Sequence, residues 1–310
     1  MRFGVFAENW FLWDECDYLK RKRARGSYNR SYADQQRAHL KNHILPEFEN
    51  TKLSKISVRK IESWLLDNRD KSSATNANRV LSVFKVMLKE AVRLGYLPKN
   101  PADHVTKLQE IPKEKGILSL DEVRKLLDPK NLKKCWGNNL FQYCFNAIAA
   151  TTGMRMGEIM ALKIQDFHED YFSVVHSWDR KYGLKEPKTG SKRLVSIPAS
   201  LGVILTKYVA GFPTSGPEQL LFAGLLQGVP IDHKVVAKRF GQALKIIGIS
   251  EELRKERNIT FHSWRHFFNT FMRGKVSDAE LQKITGHQTL TMTEHYDHQQ
   301  VGELKKIRTV

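Results

Sequence analysis

The sequence predicts two domains: an all-α helical bundle, then a mixed α+β domain that is mainly helical with a small antiparallel sheet. Three observations carry this prediction. At 310 residues the chain is longer than a typical single domain. Its first third places apolar residues at helical spacing only. Its remainder carries two short alternating runs, 171–177 and 193–197, with helical spacing before and after them. The bundle is expected over 1–110, a linker over 111–118, the mixed domain over 119–297 and a tail over 298–310.

The first elements are read from spacing and caps. Phe6, Trp10 and Trp13, with Leu12, open an amphipathic segment. The run Lys20-Arg21-Lys22-Arg23-Ala24-Arg25 has five basic residues in six and stops at Gly26. It either lies against a phosphate backbone or forms a solvated helix end. A helix from about Tyr32 is expected to stop near Pro46, which lacks an N–H and crowds the preceding turn. Ser57 caps a helix carrying Val58, Ile61, Trp64 and Leu65 on one side. A longer helix has Val80, Phe84, Met87, Leu88, Ala91 and Val92 at helical spacing. Gly95 ends it and Pro98 follows. Four or five such helices make a compact bundle.

In 109–118, Pro112 and Gly116 sit among charges, which predicts few core contacts. Ser119-Leu120-Asp121-Glu122 is a capping box that opens a helix with Val123, Leu126 and Leu127 inside. An apolar helix covers about Leu140 to Thr151, and another runs from Arg155 to about Leu162. The two alternating runs flank a basic, turn-rich connection, Lys188-Thr189-Gly190-Ser191-Lys192. From 231 onward the pattern is helical again.

Composition narrows the function. The chain is 41% hydrophobic and 27% charged, an ordinary globular balance. No run of about 18 apolar residues is present, which excludes a helical membrane span. Glu8, Asp14 and Glu15 interrupt the N-terminal segment, which has no signal-peptide core. Cys16, Cys135 and Cys144 show neither disulfide nor metal-ligand spacing, which points to a reducing, cytoplasmic setting. The 51 Lys and Arg exceed the 33 Asp and Glu to give a net charge of +18. Split near Pro112, the excess is 8 before and 10 after. An even excess fits a protein that grips a polyanion with both domains rather than with a basic tail.

Local features in the second domain carry the candidate chemistry. Arg155 and Glu158 lie three apart where a turn enters a helix, a spacing that by itself makes a helix-end ion pair. Lys188 sits at an expected hairpin tip. His262 and Arg265 share one helical face. His287 follows Gly286, and Tyr296 stands in Thr293-Glu294-His295-Tyr296-Asp297. Each is ordinary alone: a cap, a solvated lysine, a half-buried tyrosine.

Together and in order, Arg155, Glu158, Lys188, His262, Arg265, His287 and Tyr296 resemble the active-site set of the tyrosine recombinase (phage integrase) superfamily, including the nine-residue step from His287 to Tyr296. The resemblance covers about 115–300. The preceding helices resemble the family's SAM-like core-binding domain, including Lys99-Asn100-Pro101 after the last long helix. The resemblance implies a site-specific recombinase or integrase of a phage, transposon or conjugative element. Tyr296 would attack a scissile phosphate to form a 3′-phosphotyrosyl link. Lys188 would protonate the leaving 5′-oxygen, His262 assist proton transfer, His287 hydrogen-bond the phosphate and Glu158 support the site. It also implies double-stranded DNA at specific core sites as partner, a homotetramer in the synaptic complex, and accessory DNA-bending or directionality proteins.

Physical chemistry agrees with that set. Phosphodiester attack gathers charge on the non-bridging oxygens, which Arg155 and Arg265 suit through planar, multi-donor guanidiniums. An unassisted tyrosine, with a pKa of about 10, is a poor nucleophile at neutral pH, and nearby cations favour its phenolate. A covalent link conserves the phosphodiester bond energy, so no cofactor is implied. His262, His266, His287, His295 and His298 lack a compact carboxylate-plus-histidine ligand set, so no metal is assigned. The alternatives are a type IB topoisomerase-like relaxing enzyme and a non-catalytic DNA-binding protein of the same fold. The helical domain disfavours the first and the intact residue set disfavours the second. About a hundred residues precede the catalytic region, so an arm-site-binding domain is either absent or outside this chain. The tail places Val301, Leu304 and Ile307 at spacing three, an apolar stripe suited to docking on a neighbouring protomer.

Overall fold

A computed structural model describes residues 1–26, 28–112, 114–186, 192–212, 216–226 and 228–286. The chain divides into two compact units, Met1–Pro112 and Lys113–Val310. Among the described residues no helix is long and apolar enough to cross a membrane.

In the first unit, α1 (Phe3–Ala7), α2 (Asp17–Ala24), α3 (Arg30–His39), α4 (Leu45–Phe48) and α5 (Val58–Lys71) pack around α6 (Ala74–Arg93). The predicted stripe of α6 is the core: Val80, Phe84, Met87, Leu88 and Ala91 are fully buried. Phe84 meets the rings of Phe3, Phe48 and Trp64 at 5.3, 4.6 and 5.4 Å, in tilted or edge-on arrangements that suit aromatic quadrupoles. Ser57 caps α5 through the Lys60 N–H at 3.3 Å, as its spacing predicts.

One boundary falls slightly beyond the expected one. The helix predicted to stop near Pro46 continues to Phe48. Residues Leu40–Ile44 form a π turn, and the Leu45 N–H reaches back five residues to the Leu40 carbonyl. Widening the helix in this way accommodates a proline that would obstruct a regular α turn. The amphipathic opening falls on α1 and the turns that follow it. In these turns Phe11 adopts φ +61° while its ring stays buried.

The second unit begins with α7 (Leu120–Leu127), opened by the Ser119/Glu122 capping box, then α8 (Leu132–Trp136), α9 (Leu140–Thr152) and α10 (Met156–Met160). Five short strands follow: β1 (Phe167–His168), β2 (Tyr171–Val174), β3 (Ser177–Asp179), β4 (Gly183–Lys185) and β5 (Arg193–Ser196). β1, β2 and β5 form an antiparallel sheet, with Phe172 opposite Val195 and Val174 opposite Arg193. β3 and β4 form a separate hairpin. The run 171–177, read as one strand, is therefore shared between two sheets. Helices α11 (Ala199–Ala210), α12 (His233–Ile246), α13 (Glu251–Glu256), α14 (Ser263–Met272) and α15 (Asp278–Thr285) complete the unit.

α9 and α14 form its centre. Trp264 of α14 is fully buried, and its indole N–H donates to the buried Asn146 of α9 at 2.9 Å. The stretch read as a linker is bound rather than loose over its second half. Leu118 enters the core, the Ile117 carbonyl accepts from Arg257 at 3.0 Å, and the Glu114 carbonyl accepts from Asn258 at 2.9 Å. Backbone groups of this stretch find their partners on the loop after α13, which charge and proline content in 109–118 could not reveal.

Candidate active site

The site starts where α9 ends. Gly153 takes the left-handed conformation (φ +62°), and an added Cβ would stand 2.5 Å from the Phe268 ring. The turn places Arg155 at the N-cap of α10. Glu158, one turn on, bends back so that its Oε2 accepts the Arg155 backbone N–H at 2.9 Å. Its Oε1 accepts the Arg155 side-chain Nη1 at 3.0 Å.

A second arginine closes on the same carboxylate. Arg193, at the start of β5, donates from Nη2 to Glu158 Oε2 at 2.7 Å and from Nη1 to Oε1 at 3.3 Å. Glu158 is only 1% exposed. Burial pushes its carboxyl up. The hydrogen bond and charge of Arg193, then the backbone N–H and charge of Arg155, outweigh burial and hold it below the usual carboxylate range.

The C-terminus of α15 joins these groups. A helix end leaves its last carbonyls without intrahelical partners and carries partial negative charge. Three successive carbonyls here each receive an arginine: Ile284 from Arg193 Nε at 2.8 Å, Thr285 from Arg265 Nη2 at 2.7 Å and Gly286 from Arg155 Nη2 at 3.0 Å. Arg265 also donates from Nη1 to the Gly153 carbonyl at 2.6 Å. Gly286 is left-handed (φ +67°), and a Cβ there would sit 3.3 Å from Arg193 and 3.6 Å from Arg155. The absence of a side chain lets both guanidiniums approach.

His262 is the residue before α14, one turn from Arg265 and 4.7 Å from the His266 ring, edge to face. As a residue it is exposed to solvent. Desolvation first, then the cations Arg265, Arg155 and Lys115, hold its pKa down, to about 4. The ring is therefore neutral at physiological pH. Among the described residues no three His, Cys, Asp or Glu converge as a metal site.

Four of the sequence-predicted residues, Arg155, Glu158, His262 and Arg265, thus meet in one place. Lys188, His287 and Tyr296 lie outside the described residues. His287 follows Gly286 directly, so the chain passes from the arginine-capped end of α15 into the segment that carries His287 and Tyr296. Arg193 was not singled out from the sequence. The signal was available: in a strand of period two it shares a face with the inward Val195 and Ile197, and an inward arginine needs a buried partner.

The basic run of the first unit falls on α2 and just beyond it. Lys20 pairs with Asp17 at 3.2 Å, and Arg21 pairs with Glu90 of α6. Arg23 lies 3.6 Å from Asp14 and stacks 4.4 Å over Trp13. The Lys22 ammonium lies 5.7 Å from the Tyr18 ring centroid, and Arg25 is exposed. The run is anchored to its own unit and still presents a cationic surface.

A helical unit followed by a helical domain with a small antiparallel sheet is the two-domain fold of tyrosine recombinases. It superimposes on the Tn1549 transposon integrase solved in complex with a circular intermediate DNA, with TM-score 0.76, 19% identity and coverage of 99% of this chain and 98% of that one. It also superimposes on a lambda integrase dimer bound to a COC′ core site, with TM-score 0.67 and 17% identity over 94% of this chain and 97% of that one. Residues 117–303 match the phage integrase family, and residues 15–107 match the phage integrase central domain. The chain belongs to the phage integrase family and is a tyrosine site-specific recombinase. It is 24% identical to the integrase of Enterobacteria phage 434, over 82% of this chain and 67% of that protein. It is 25% identical to tyrosine recombinase XerD of Oceanobacillus iheyensis, over 78% and 77%.

Proposed function

We propose that Arg155 and Arg265 bind the non-bridging oxygens of a scissile DNA phosphate, and that Tyr296 attacks it to form a 3′-phosphotyrosyl link. The observation that carries this reading is the placement of both guanidiniums on the adjacent carbonyls of Thr285 and Gly286. Each arginine is held in place by these anchors before substrate arrives. Preorganised donors of this kind stabilise a charged transition state by a few kcal/mol each. Glu158 holds Arg155. His262, kept neutral by desolvation and then by its cationic surroundings, is suited to accept a proton as the phenol attacks. Lys188 donates to the leaving 5′-oxygen, and His287 hydrogen-bonds the phosphate. The 5′-hydroxyl of a partner strand then displaces Tyr296, which reseals the DNA without hydrolysis.

The partner is double-stranded DNA at specific core sites, gripped in part by Lys20, Arg21, Lys22, Arg23 and Arg25. Ordered exchange of strands uses a homotetramer, and the 298–310 segment docks on a neighbouring protomer. The setting is the cytoplasm, with integration or excision of a mobile element as the outcome and accessory DNA-bending or directionality proteins as helpers. A nicked suicide duplex carrying the candidate attachment site tests the chemistry. The protein forms a covalent adduct that survives denaturant and EDTA, and Arg155→Ala and Arg265→Ala each reduce its rate by at least about a hundredfold. Full-rate adduct formation in both variants contradicts the reading.

A further inference from the structure

We propose that Arg193 is a positioning residue of the catalytic centre: it clamps Glu158 and the end of α15 together and thereby fixes Arg155. This rests on the reading of Arg155 as a phosphate-binding group.

Exposure separates Arg193 from Arg155, the more open arginine beside Glu158; Arg265, at 2% exposed, is no more open than Arg193. The Arg193 side chain is 8% exposed, against 26% for Arg155. Three of its donors are engaged: Nη1 and Nη2 on the two oxygens of Glu158 and Nε on the Ile284 carbonyl. A planar guanidinium can bridge a carboxylate on one edge and a carbonyl at Nε, which an ammonium cannot reproduce. Arg193 thus belongs to the frame and is less open to DNA than Arg155.

Its three contacts join three parts of the unit. Arg193 sits on β5, Glu158 on α10 and Ile284 on α15, 91 residues further along. Among the described residues, the charged groups facing Glu158 are Arg155 from its own turn and Arg193 from β5. With Arg193 removed, a buried carboxylate keeps only Arg155 as counter-charge. It then draws on Arg155 more strongly and takes up a proton more readily. Either change disturbs the group that meets the phosphate. The Ile284 carbonyl also loses its donor, which loosens the helix end from which Gly286 and then His287 follow.

The test uses the full chain, a nicked suicide duplex for adduct rate, and a gel shift on uncleavable duplex for binding. Arg193→Met is expected to slow adduct formation roughly 10- to 100-fold, since a small misplacement of a catalytic group can cost about a hundredfold. DNA affinity stays within about threefold. The adduct rate of Arg193→Met also gains an acid-side fall below neutral pH that the unaltered protein lacks, and adding Glu158→Gln removes that fall. Arg193→Lys keeps the charge and loses the fork, so it also cleaves more slowly with unchanged affinity. It carries the test if the methionine variant does not fold. Unaltered rate and pH profile in the folded variants overturn the proposal, as does an equal loss of binding and cleavage. Failure of the unaltered protein to form any adduct would instead count against the proposed function.

Discussion

At the scale of single residues, the site depends on a buried carboxylate held charged. Glu158 has its carboxyl lowered from the usual 4.5 in the folded chain. Its stabilisation is fully present above the unfolded value and is lost as pH falls through the folded one. Glu158→Gln should therefore cost about 3 kcal/mol at pH 7, because two guanidiniums lose their counter-charge. In thermal melts the gap to the unaltered protein should narrow as pH drops below about 4.5. A gap that is constant with pH would show that the carboxylate charge is not what matters. His262 behaves in the opposite sense. With its pKa lowered it contributes nothing above the ordinary histidine value, and it costs stability below that, where the unfolded chain takes up the proton first. Its ring resonances in NMR should remain those of neutral imidazole at about pH 5.5. The Arg155–Glu158 pair was legible because helix geometry fixes a spacing of three. The Arg193 contact was not, because it depends on which carbonyl arrives from 91 residues away.

At the scale of elements, α15 is the part whose integrity matters most. It is a short helix capped by Ser277, whose hydroxyl accepts the Glu280 N–H while Glu280 accepts the Ser277 N–H at 2.9 Å. Its other end takes the three arginines. Ser277→Ala should cost about 1 kcal/mol of local stability. That corresponds to roughly fivefold faster amide exchange in α15 and to slower adduct formation, with DNA affinity unchanged. Unchanged exchange rates would mean that the arginines alone hold the helix. Elements set by local signals were readable in advance: the Ser57 and Ser119 caps, the stripe of α6, the apolar α9. Those that required distant partners were not. Pro46 continues its helix only because a π turn forms before it, and 114–118 is ordered by groups on the loop after α13.

At the scale of the whole molecule, the fold class followed from periodicity, while its assignment to a family came from the order of seven polar residues. Net charge adds the expectation of counterion release. With +18 spread over both units, DNA binding should weaken at least about a hundredfold between roughly 50 and 200 mM salt. A flat salt dependence would contradict a phosphate-dominated grip. Deleting 299–310 should weaken synapsis and cleavage more than single-site binding, and equal losses would place the tail on its own protomer. Strand cleavage as proposed turns on Tyr296 as the nucleophile. The most direct measurement is mass spectrometry of the peptide that remains joined to DNA after proteolysis of the covalent adduct. The predicted result is one peptide, containing Tyr296, linked through a 3′-phosphate, with Tyr296→Phe yielding none. A DNA link through another residue or to a 5′-phosphate, or an adduct that persists in the phenylalanine variant, would contradict it.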